Sequence, residues 1–253
     1  MRPEVSIIVP TFREVENLSE LVRRISGALN ETSLLGEIII VDDDSRDGTI
    51  QVCETLSKSY PLVLETRVGE RGLATAVLHG LKKARGQVLA VMDADLSHPP
   101  EAIPEIVNEI RSGADMVVGS RYVSGGKTEE DWGLLRWLNS KIATVLARPL
   151  TNIKDPMAGF FAIHRNVFMR SERLDPIGYK IGLELLVKCG CRRVVEVPIH
   201  FIDRKRGKSK LTLREQWNYV AHLRRLYTFK FALPKRAIPI KPVFAPKNAR
   251  HEF

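Results

Sequence analysis

Short runs of β-branched residues alternate with amphipathic stretches over the first 120 residues of the chain. The runs predict five strands, at residues 5–10, 37–43, 62–67, 88–94 and 115–121. The second and fourth are apolar almost throughout, which is typical of strands covered on both faces of a parallel sheet. Segments with helical spacing lie between them, at residues 15–30, 48–59, 73–84 and 100–111. This alternation predicts right-handed βαβ units and a doubly wound α/β fold with a mostly parallel sheet.

Seven residues, most of them polar or charged, lie at the carboxyl ends of four of these predicted strands. They are Pro10, Thr11, Asp42, Asp43, Asp93, Asp95 and Arg121. Ligands of open α/β sheets bind in the crevice outside the carboxyl ends of the strands. We therefore expect the functional site at this edge of the sheet.

Two amphipathic helices are the clearest pattern beyond residue 121. Residues 134–147 and about 212–231 carry apolar side chains beside cationic ones, a profile typical of helices at a membrane interface. Packing of both helices on the core is the alternative. Between them we expect a turn and a strand-like piece at 154–165, a helix at about 181–189 and a strand at 193–201.

The ends of the chain suggest one domain and a tail. Prolines punctuate residues 233–253, which predicts an extended or flexible tail after a domain at 1–232. No run of 18 apolar residues occurs, so we expect no membrane-spanning segment. The chain also opens directly into a strand-like segment, so we expect no signal peptide.

Positive charge is concentrated toward the carboxyl terminus. The net charge is +9, and residues 201–253 hold 14 Lys and Arg against three acidic residues. Such a region suits nucleic acid, anionic lipid or a phosphorylated substrate, although it is also what a solvated surface looks like. The basic loop at 202–210 has no interleaved aromatic residues, so we do not expect nucleic acid as a partner.

Two aspartates, Asp93 and Asp95, flank Ala94 where the fourth strand ends. Carboxylate oxygens are the ligands that Mg²⁺ and Mn²⁺ prefer, often together with phosphate oxygens of a substrate. Such a cation would cancel the repulsion between the carboxylates and neutralise a diphosphate leaving group. The alternative is that one aspartate caps the following helix and the other is solvated.

A second acidic group, Asp42-Asp43-Asp44, ends the second strand. Aspartates at this place can accept hydrogen bonds from ribose hydroxyls or from a base amine. Asx turns and a helix cap are the alternative, especially for Asp47.

Six segments form an ordered set of motifs along the chain. They are IIVPTFREVENL (7–18), EIIIVDDDSRDGT (37–49), GERGLATAVLHGLKKARG (69–86), VMDADLSHPPEAIPEIV (91–107), DMVVGSRY (115–122) and VEVPIHFIDRKRGKSKL (195–211). The set resembles the inverting GT-A glycosyltransferases, and specifically the dolichol-phosphate (polyprenol-phosphate) mannosyltransferases. The resemblance extends from about residue 5 to 230 and implies a GT-A, Rossmann-like fold.

The resemblance implies roles for individual residues. Those implied to contact the nucleotide are Pro10, Phe12, Glu14, Val41, Asp42, Asp43, Asp93, Ala94 and Asp95. Those implied to hold the metal are Asp93, Asp95 and Ser97. Those implied to contact phosphate are Arg121, Arg204 and Lys210, which with Asp95 are the expected catalytic residues. Asp44 stands where the family usually has glycine, which implies a stiffer turn.

The implied reaction moves a mannosyl group from GDP-mannose to a polyprenyl phosphate with inversion, using Mg²⁺ or Mn²⁺. A phosphate monoester has a second pKa of about 6, so it is already an anionic nucleophile and needs no general base. The alternatives are a UDP-glucose-dependent polyprenyl-phosphate glucosyltransferase, a soluble transferase with a hydroxyl acceptor, and a non-catalytic nucleotide- or nucleic-acid-binding protein. The expected location is peripheral, on the cytoplasmic face of a membrane, possibly with a membrane-anchoring subunit.

Overall fold

The computed structural model describes residues 2–128, 142–171, 174–202 and 213–232. Several predictions lie outside these residues: the start of the helix at 134–147, the basic loop with Arg204 and Lys210, and the tail at 233–253.

A seven-stranded sheet organises the described chain, in the order β3-β2-β1-β4-β7-β5-β8. Its strands are β1 (Val5–Thr11), β2 (Gly36–Asp42), β3 (Leu62–Thr66), β4 (Val88–Val91), β5 (Met116–Ser120), β7 (Phe161–His164) and β8 (Val194–Pro198). All neighbours pair in parallel except β7, which is antiparallel to both β4 and β5. The predicted mostly parallel α/β sheet and its first five strands are confirmed.

Helices cover both faces of the sheet. They are α1 (Val15–Glu31), α2 (Thr49–Leu56), α3 (Leu73–Lys83), a 3₁₀ turn (Pro100–Ala102), α4 (Ile103–Arg111), α5 (described over 142–147), α6 (Arg165–Phe168), α7 (Ile181–Lys188) and α8 (Leu213–Tyr227), which ends in a π-helical turn (Thr228–Ala232). One apolar core lies between the sheet and α1, α2 and α4, and another between the sheet and α3, α6 and α7. A third, smaller core joins α5, α7 and α8.

The strand predicted at 193–201 is divided into two strands, so that prediction was wrong in its continuity. β8 ends at Pro198, and β9 (His200–Phe201) pairs instead with β6 (Lys127–Thr128) in a separate small sheet. The residue between them serves both sheets: the N–H of Ile199 donates to the Ser120 carbonyl at 3.0 Å, and its carbonyl accepts from the N–H of Lys127 at 3.0 Å. Long-range pairing thus decides where this strand bends.

Among the helices of the described ranges, none combines the length and the apolar character that a bilayer crossing requires.

Close approach of α3 to the sheet depends on Gly80. A Cβ added at Gly80 would lie 2.5 Å from Cγ2 of Ile8 and 3.0 Å from Cγ2 of Val41, and both of those side chains are fully buried. A methyl group therefore has no room unless α3 moves away from the β1–β2 pair.

We expect Gly80→Ala to lower the free energy of unfolding by about 1–3 kcal/mol, because overpacking outweighs the gain in helix propensity. Urea denaturation followed by circular dichroism measures this. Gly27→Ala is the matched control, since Gly27 also lies inside a helix and a Cβ there meets nothing within 4 Å. Equal stabilities for the two variants would contradict the close packing of α3.

Candidate active site

The carboxyl ends of β1, β2, β4 and β5 open at one edge of the sheet, as predicted, because these strands run in parallel. Backbone hydrogen bonds extend the strand contacts into the loops that follow. The N–H of Asp43 donates to the Thr11 carbonyl at 3.1 Å, and the N–H of Met92 donates to the Ile8 carbonyl at 3.1 Å. The loops that carry the acidic groups therefore begin on either side of the end of β1.

The Asp93–Asp95 loop is folded partly by its own side chains. Asp95 is only 7% exposed, and its Oδ1 accepts the N–H of Ser97 at 3.1 Å. Leu96 between them has a φ of +62°, in the left-handed region that costs a non-glycine residue about 1–2 kcal/mol. Backbone strain of this kind is typical of functional loops, where the surrounding structure maintains it.

The donor atoms around this loop fit a hard divalent cation. The Ser97 Oγ is buried and has no hydrogen-bond partner among the described residues. Gly159 leaves space beside Asp93, since a Cβ at Gly159 would lie 2.9 Å from the Asp93 Oδ2. Among the described residues, no three His, Cys, Asp or Glu side chains are grouped so that they could hold a metal ion by themselves. Two carboxylates and a hydroxyl would thus leave positions for water and phosphate oxygens, as Mg²⁺ and Mn²⁺ commonly require.

His98 supports the loop, and its sequence context gave no sign of this. Its ring is buried between Phe160 and Phe201, with centroids 5.6 and 5.4 Å away. The N–H of Asp93 donates to the His98 Nδ1 at 3.4 Å. Burial lowers the pKa of His98, although the neighbouring carboxylates of Asp93 and Asp95 oppose this shift. A neutral His98 is therefore a structural support of the loop.

The acidic group after β2 is largely engaged in local hydrogen bonds. Asp42 is buried, and its carboxylate accepts from the hydroxyl and the N–H of Ser45, the latter at 3.0 Å. Asp47 accepts the N–H of Thr49, two residues on, at 3.1 Å, so it forms the Asx turn of the alternative interpretation. The N-cap of α2 is Gly48, and the expectation that Asp47 is the cap residue was wrong. Asp44 has a φ of +52°, so the position where the family usually has glycine does adopt a glycine-like conformation.

Asp43 forms a buried ion pair that the sequence analysis missed. Its Oδ1 accepts from the Nε of Arg67 at 2.8 Å, and its Oδ2 accepts from the N–H of Gly72 at 2.8 Å. Arg67 is itself buried, and it also donates to the Thr75 hydroxyl at 3.0 Å and the Gly72 carbonyl at 3.1 Å. Asp43 and Arg67 therefore hold the start of α3 against β2.

The residues implied to contact the nucleotide differ in their burial and in the groups that they expose. Pro10, Val41 and Ala94 are buried, so any contact from Val41 would come from its backbone. Phe12 is half-buried, and the Arg71 guanidinium lies 4.2 Å from its ring centroid.

Glu14 lies just before α1, where its carboxylate accepts from the Asn17 amide at 2.8 Å. Together Phe12, Arg71 and Glu14 form a polar and aromatic rim beside the β1 end.

Arg121 is paired with Asp155, which was not among the predicted site residues. The Nε and Nη2 of Arg121 donate to the two carboxylate oxygens of Asp155, each at 2.8 Å. Asp155 is fully buried, and its own N–H donates to the Glu196 Oε1 at 2.9 Å. The pairing raises the pKa of Arg121 against the opposing effect of its burial. Asp155 thereby fixes the orientation of this guanidinium beside Phe201.

The sheet order, with one antiparallel strand and an acidic pair after β4, is that of an α/β protein with a GT-A-like fold. Solved structures share this fold. A crystal structure of glucosyl-3-phosphoglycerate synthase from Mycobacterium tuberculosis with Mn²⁺, UDP and glucosyl-3-phosphoglycerate aligns with a TM-score of 0.64 at 17% identity, covering 92% of this chain and 81% of that one. A mycobacterial protein aligns with a TM-score of 0.66 at 19% identity, over 92% and 76% of the two chains.

The chain belongs to glycosyl transferase family 2, whose family model matches residues 6–171. Three curated relatives are named dolichol-phosphate mannosyltransferase. The relative from Pyrococcus furiosus is 46% identical over 88% of this chain and 63% of its own length, so this chain spans less than two thirds of that protein. The relatives from Mycosarcoma maydis and Saccharomyces cerevisiae are 44% and 38% identical, over 90% and 91% of this chain and 81% and 90% of their own. The predicted family and the prediction of a glycosyltransferase are confirmed.

We expect Asp155→Asn to lower the free energy of unfolding by about 3–5 kcal/mol, because it removes the fully buried carboxylate charge that pairs with the largely buried Arg121 guanidinium. Guanidinium chloride denaturation measures this. Replacing Arg121 as well, by Met, should recover part of the loss.

Glu20→Gln is the control for this experiment, because it breaks an exposed ion pair with Arg23 and should leave the unfolding midpoint unchanged. An unchanged midpoint in Asp155→Asn would mean that the buried pair does not form in solution.

Proposed function

We propose that this protein transfers a mannosyl group from GDP-mannose to a polyprenyl phosphate of the dolichyl type, with inversion and with Mg²⁺ or Mn²⁺. The support is the name shared by three relatives that match about nine tenths of the chain.

One contact carries the proposal on the structural side. The N–H of Ile202 donates to the carbonyl of Ser97 at 3.1 Å, so the chain enters the basic segment at the Asp93–Asp95 loop. Arg204 follows Ile202 by two residues, and two residues span at most about 7 Å. The acidic groups can therefore act on one substrate and the basic groups on another at the same place.

Asp93, Asp95 and Ser97 would hold the cation, which when bound neutralises the charge that develops on the diphosphate leaving group. Phe12, Glu14 and the backbone around Val41 and Asp43 are proposed to bind the nucleoside.

On the acceptor side, Arg121, Arg204 and Lys210 are proposed to orient the phosphate behind the anomeric carbon. Guanidinium groups suit phosphate oxygens because they donate two parallel hydrogen bonds. The acceptor needs no base from the protein, since its second pKa is about 6. The absence of a required general base is consistent with the role of His98, which is buried and supports the Asp93–Asp95 loop through its contact with Asp93.

A membrane-facing patch is proposed to bring the enzyme to its lipid acceptor. It consists of exposed apolar side chains on α5, α8 and the π-helical turn: Ile142, Val145, Leu146, Trp217, Val220 and Phe231. Hydroxyls tie these helices together, with Tyr219 donating to the Ala143 carbonyl and Tyr227 to the Leu146 carbonyl, each at 2.6 Å.

One side of these helices packs in the third core, as the alternative interpretation expects, and the other side is exposed. Contact of the exposed side with a membrane stays a prediction. Cations near the patch, such as Arg148 and Arg224, would each add about 1 kcal/mol on anionic lipid. We propose peripheral attachment at the cytoplasmic face of a membrane, with or without an anchoring subunit.

We expect organic-extractable label when the protein is incubated with radiolabelled GDP-mannose, polyprenyl phosphate and Mg²⁺ or Mn²⁺, and none with labelled UDP-glucose. EDTA should abolish it. Asp95→Asn should lower turnover about 100-fold or more, because it removes preorganised charge at the leaving group.

Asp44→Asn is the control for Asp95→Asn, since Asp44 lies in the neighbouring loop and pairs with the exposed Arg46. Label from UDP-glucose alone would reject the proposed donor, and full activity in EDTA would reject the proposed metal.

We expect Val145→Glu to weaken cosedimentation with vesicles of phosphatidylcholine and phosphatidylserine, because it puts a carboxylate where acyl chains and anionic headgroups should lie. Val68→Glu is the matched control: Val68 is 75% exposed and Val145 65% exposed, but Val68 lies outside the patch, after β3. Equal binding by both variants would show that the patch does not face the membrane.

A further inference from the structure

A buried carboxylate on α7 has one oxygen that the rest of the described structure does not satisfy. Glu184 is 0% exposed. Its Oε1 accepts from the N–H of Asp175 at 2.8 Å and from the Lys188 ammonium at 2.6 Å. Its Oε2 is buried and has no hydrogen-bond partner among the described residues. A buried polar atom of this kind normally has a partner, because the desolvation cost is otherwise uncompensated.

A histidine on α8 has the complementary deficiency. His222 is 1% exposed, and its Nδ1 accepts the N–H of Ile177 at 3.3 Å. A neutral imidazole that accepts at Nδ1 carries its proton at Nε2. The Nε2 is also buried without a partner in the described part of the chain. The unsatisfied atom of His222 is therefore a donor, and that of Glu184 is an acceptor.

We propose that one buried water joins the Nε2–H of His222 to the Oε2 of Glu184, and that this link positions the basic acceptor-binding segment. Glu184 and His222 are thus positioning residues and not catalytic ones. The inference rests on the proposed function only for the role of that segment.

The link belongs to a wider clamp between α7 and α8. Residues 175–177 lie in it, because the N–H of Asp175 is bound by Glu184 and the N–H of Ile177 by His222. The carboxylate of Asp175 also pairs with Arg225 of α8. The position of α8 is therefore set by polar contacts as well as by the apolar side chains of the third core.

The position of α8 matters because the basic segment ends there. Residues 203–212, which include Arg204 and Lys210, join Ile202 to the start of α8 at Leu213. The near end is bound to the Ser97 carbonyl of the proposed metal loop. The far end is bound through α8 to α7. A shift of α8 would move the far end of this segment. It would therefore affect binding of the lipid phosphate and not binding of the sugar nucleotide.

Protonation should break the contact between His222 and Ile177, whereas the Nε2–H donor of the link remains. A proton on Nδ1 would face the N–H of Ile177, and two donors cannot bond to each other. Burial lowers the pKa of His222, and Lys188 and Arg225 act in the same direction, whereas Glu184 and Asp175 raise it. Because the folded pKa lies below the ordinary value of about 6.5, stability from neutral His222 is present above that value and is lost as the pH falls below it.

Two substitutions at His222 separate the two contacts. His222→Asn keeps an acceptor at the δ position and removes the ε donor, whereas the longer side chain of His222→Gln brings an amide donor to the ε position. We expect His222→Asn to raise KM for polyprenyl phosphate about tenfold or more and to leave KM for GDP-mannose unchanged. His222→Gln should retain the wild-type acceptor KM at neutral pH. Between pH 6.5 and 5 its acceptor KM should rise less than that of the wild type, because protonation of the acceptor phosphate affects both proteins equally. Equal acceptor KM values for the two variants would overturn the positioning role.

Two further measurements do not depend on transferase activity. The ¹⁵N spectrum of the wild-type imidazoles should show His222 protonated at Nε2 and unprotonated at Nδ1 at neutral pH. Hydrogen exchange over residues 213–227 should be about tenfold faster in His222→Asn than in His222→Gln. The opposite tautomer, or equal exchange, would overturn the link itself. The expected tautomer and exchange in a protein that transfers no mannose would retain the link and reject the proposed function.

Discussion

Carboxylates crowd the carboxyl edge of the sheet, and the way each one is compensated decides what remains available to a substrate. Asp43 is neutralised by the buried Arg67, and Asp155 by Arg121. Both pairs fix loops around the site, since a buried charge is tolerated only with a partner in good geometry. Asp93 and Asp95 lie beside the unsatisfied hydroxyl of Ser97, where a divalent cation would complete the balance of charge.

The proposed acceptor side is connected to this edge through the backbone. The Ile202–Ser97 hydrogen bond makes the metal loop one boundary of the basic segment, and the contacts of Glu184 and His222 make α8 the other. The same helix exposes apolar residues such as Trp217. Attachment to a membrane and positioning of the phosphate-binding groups would thus act through one element, which suits an acceptor that cannot leave the bilayer surface.

The residues that sequence reasoning missed share one property, which is that their partners are distant in the chain. Arg67 lies 24 positions from Asp43, and Asp155 lies 34 positions from Arg121. His222 lies 45 positions from Ile177. The local spacing of residues cannot predict such pairs, because they depend on which loops the sheet order brings together. Asp44 was different, because its place in a turn motif could be read from the local sequence. The structure adds that its φ is positive.

The sequence by itself determined the alternation of strands and helices, the acidic strand ends and the family, because periodicity and contiguous motifs are local properties of a chain. Only the tertiary structure decided that the segment at 193–201 bends into two sheets, that Asp42 and Asp43 brace loops, and that Arg121 shares its charge with a buried aspartate. The physical reason is that a carboxylate or guanidinium is equally suited to a ligand and to a partner within the protein. Which of the two it meets depends on distances that exist only after folding.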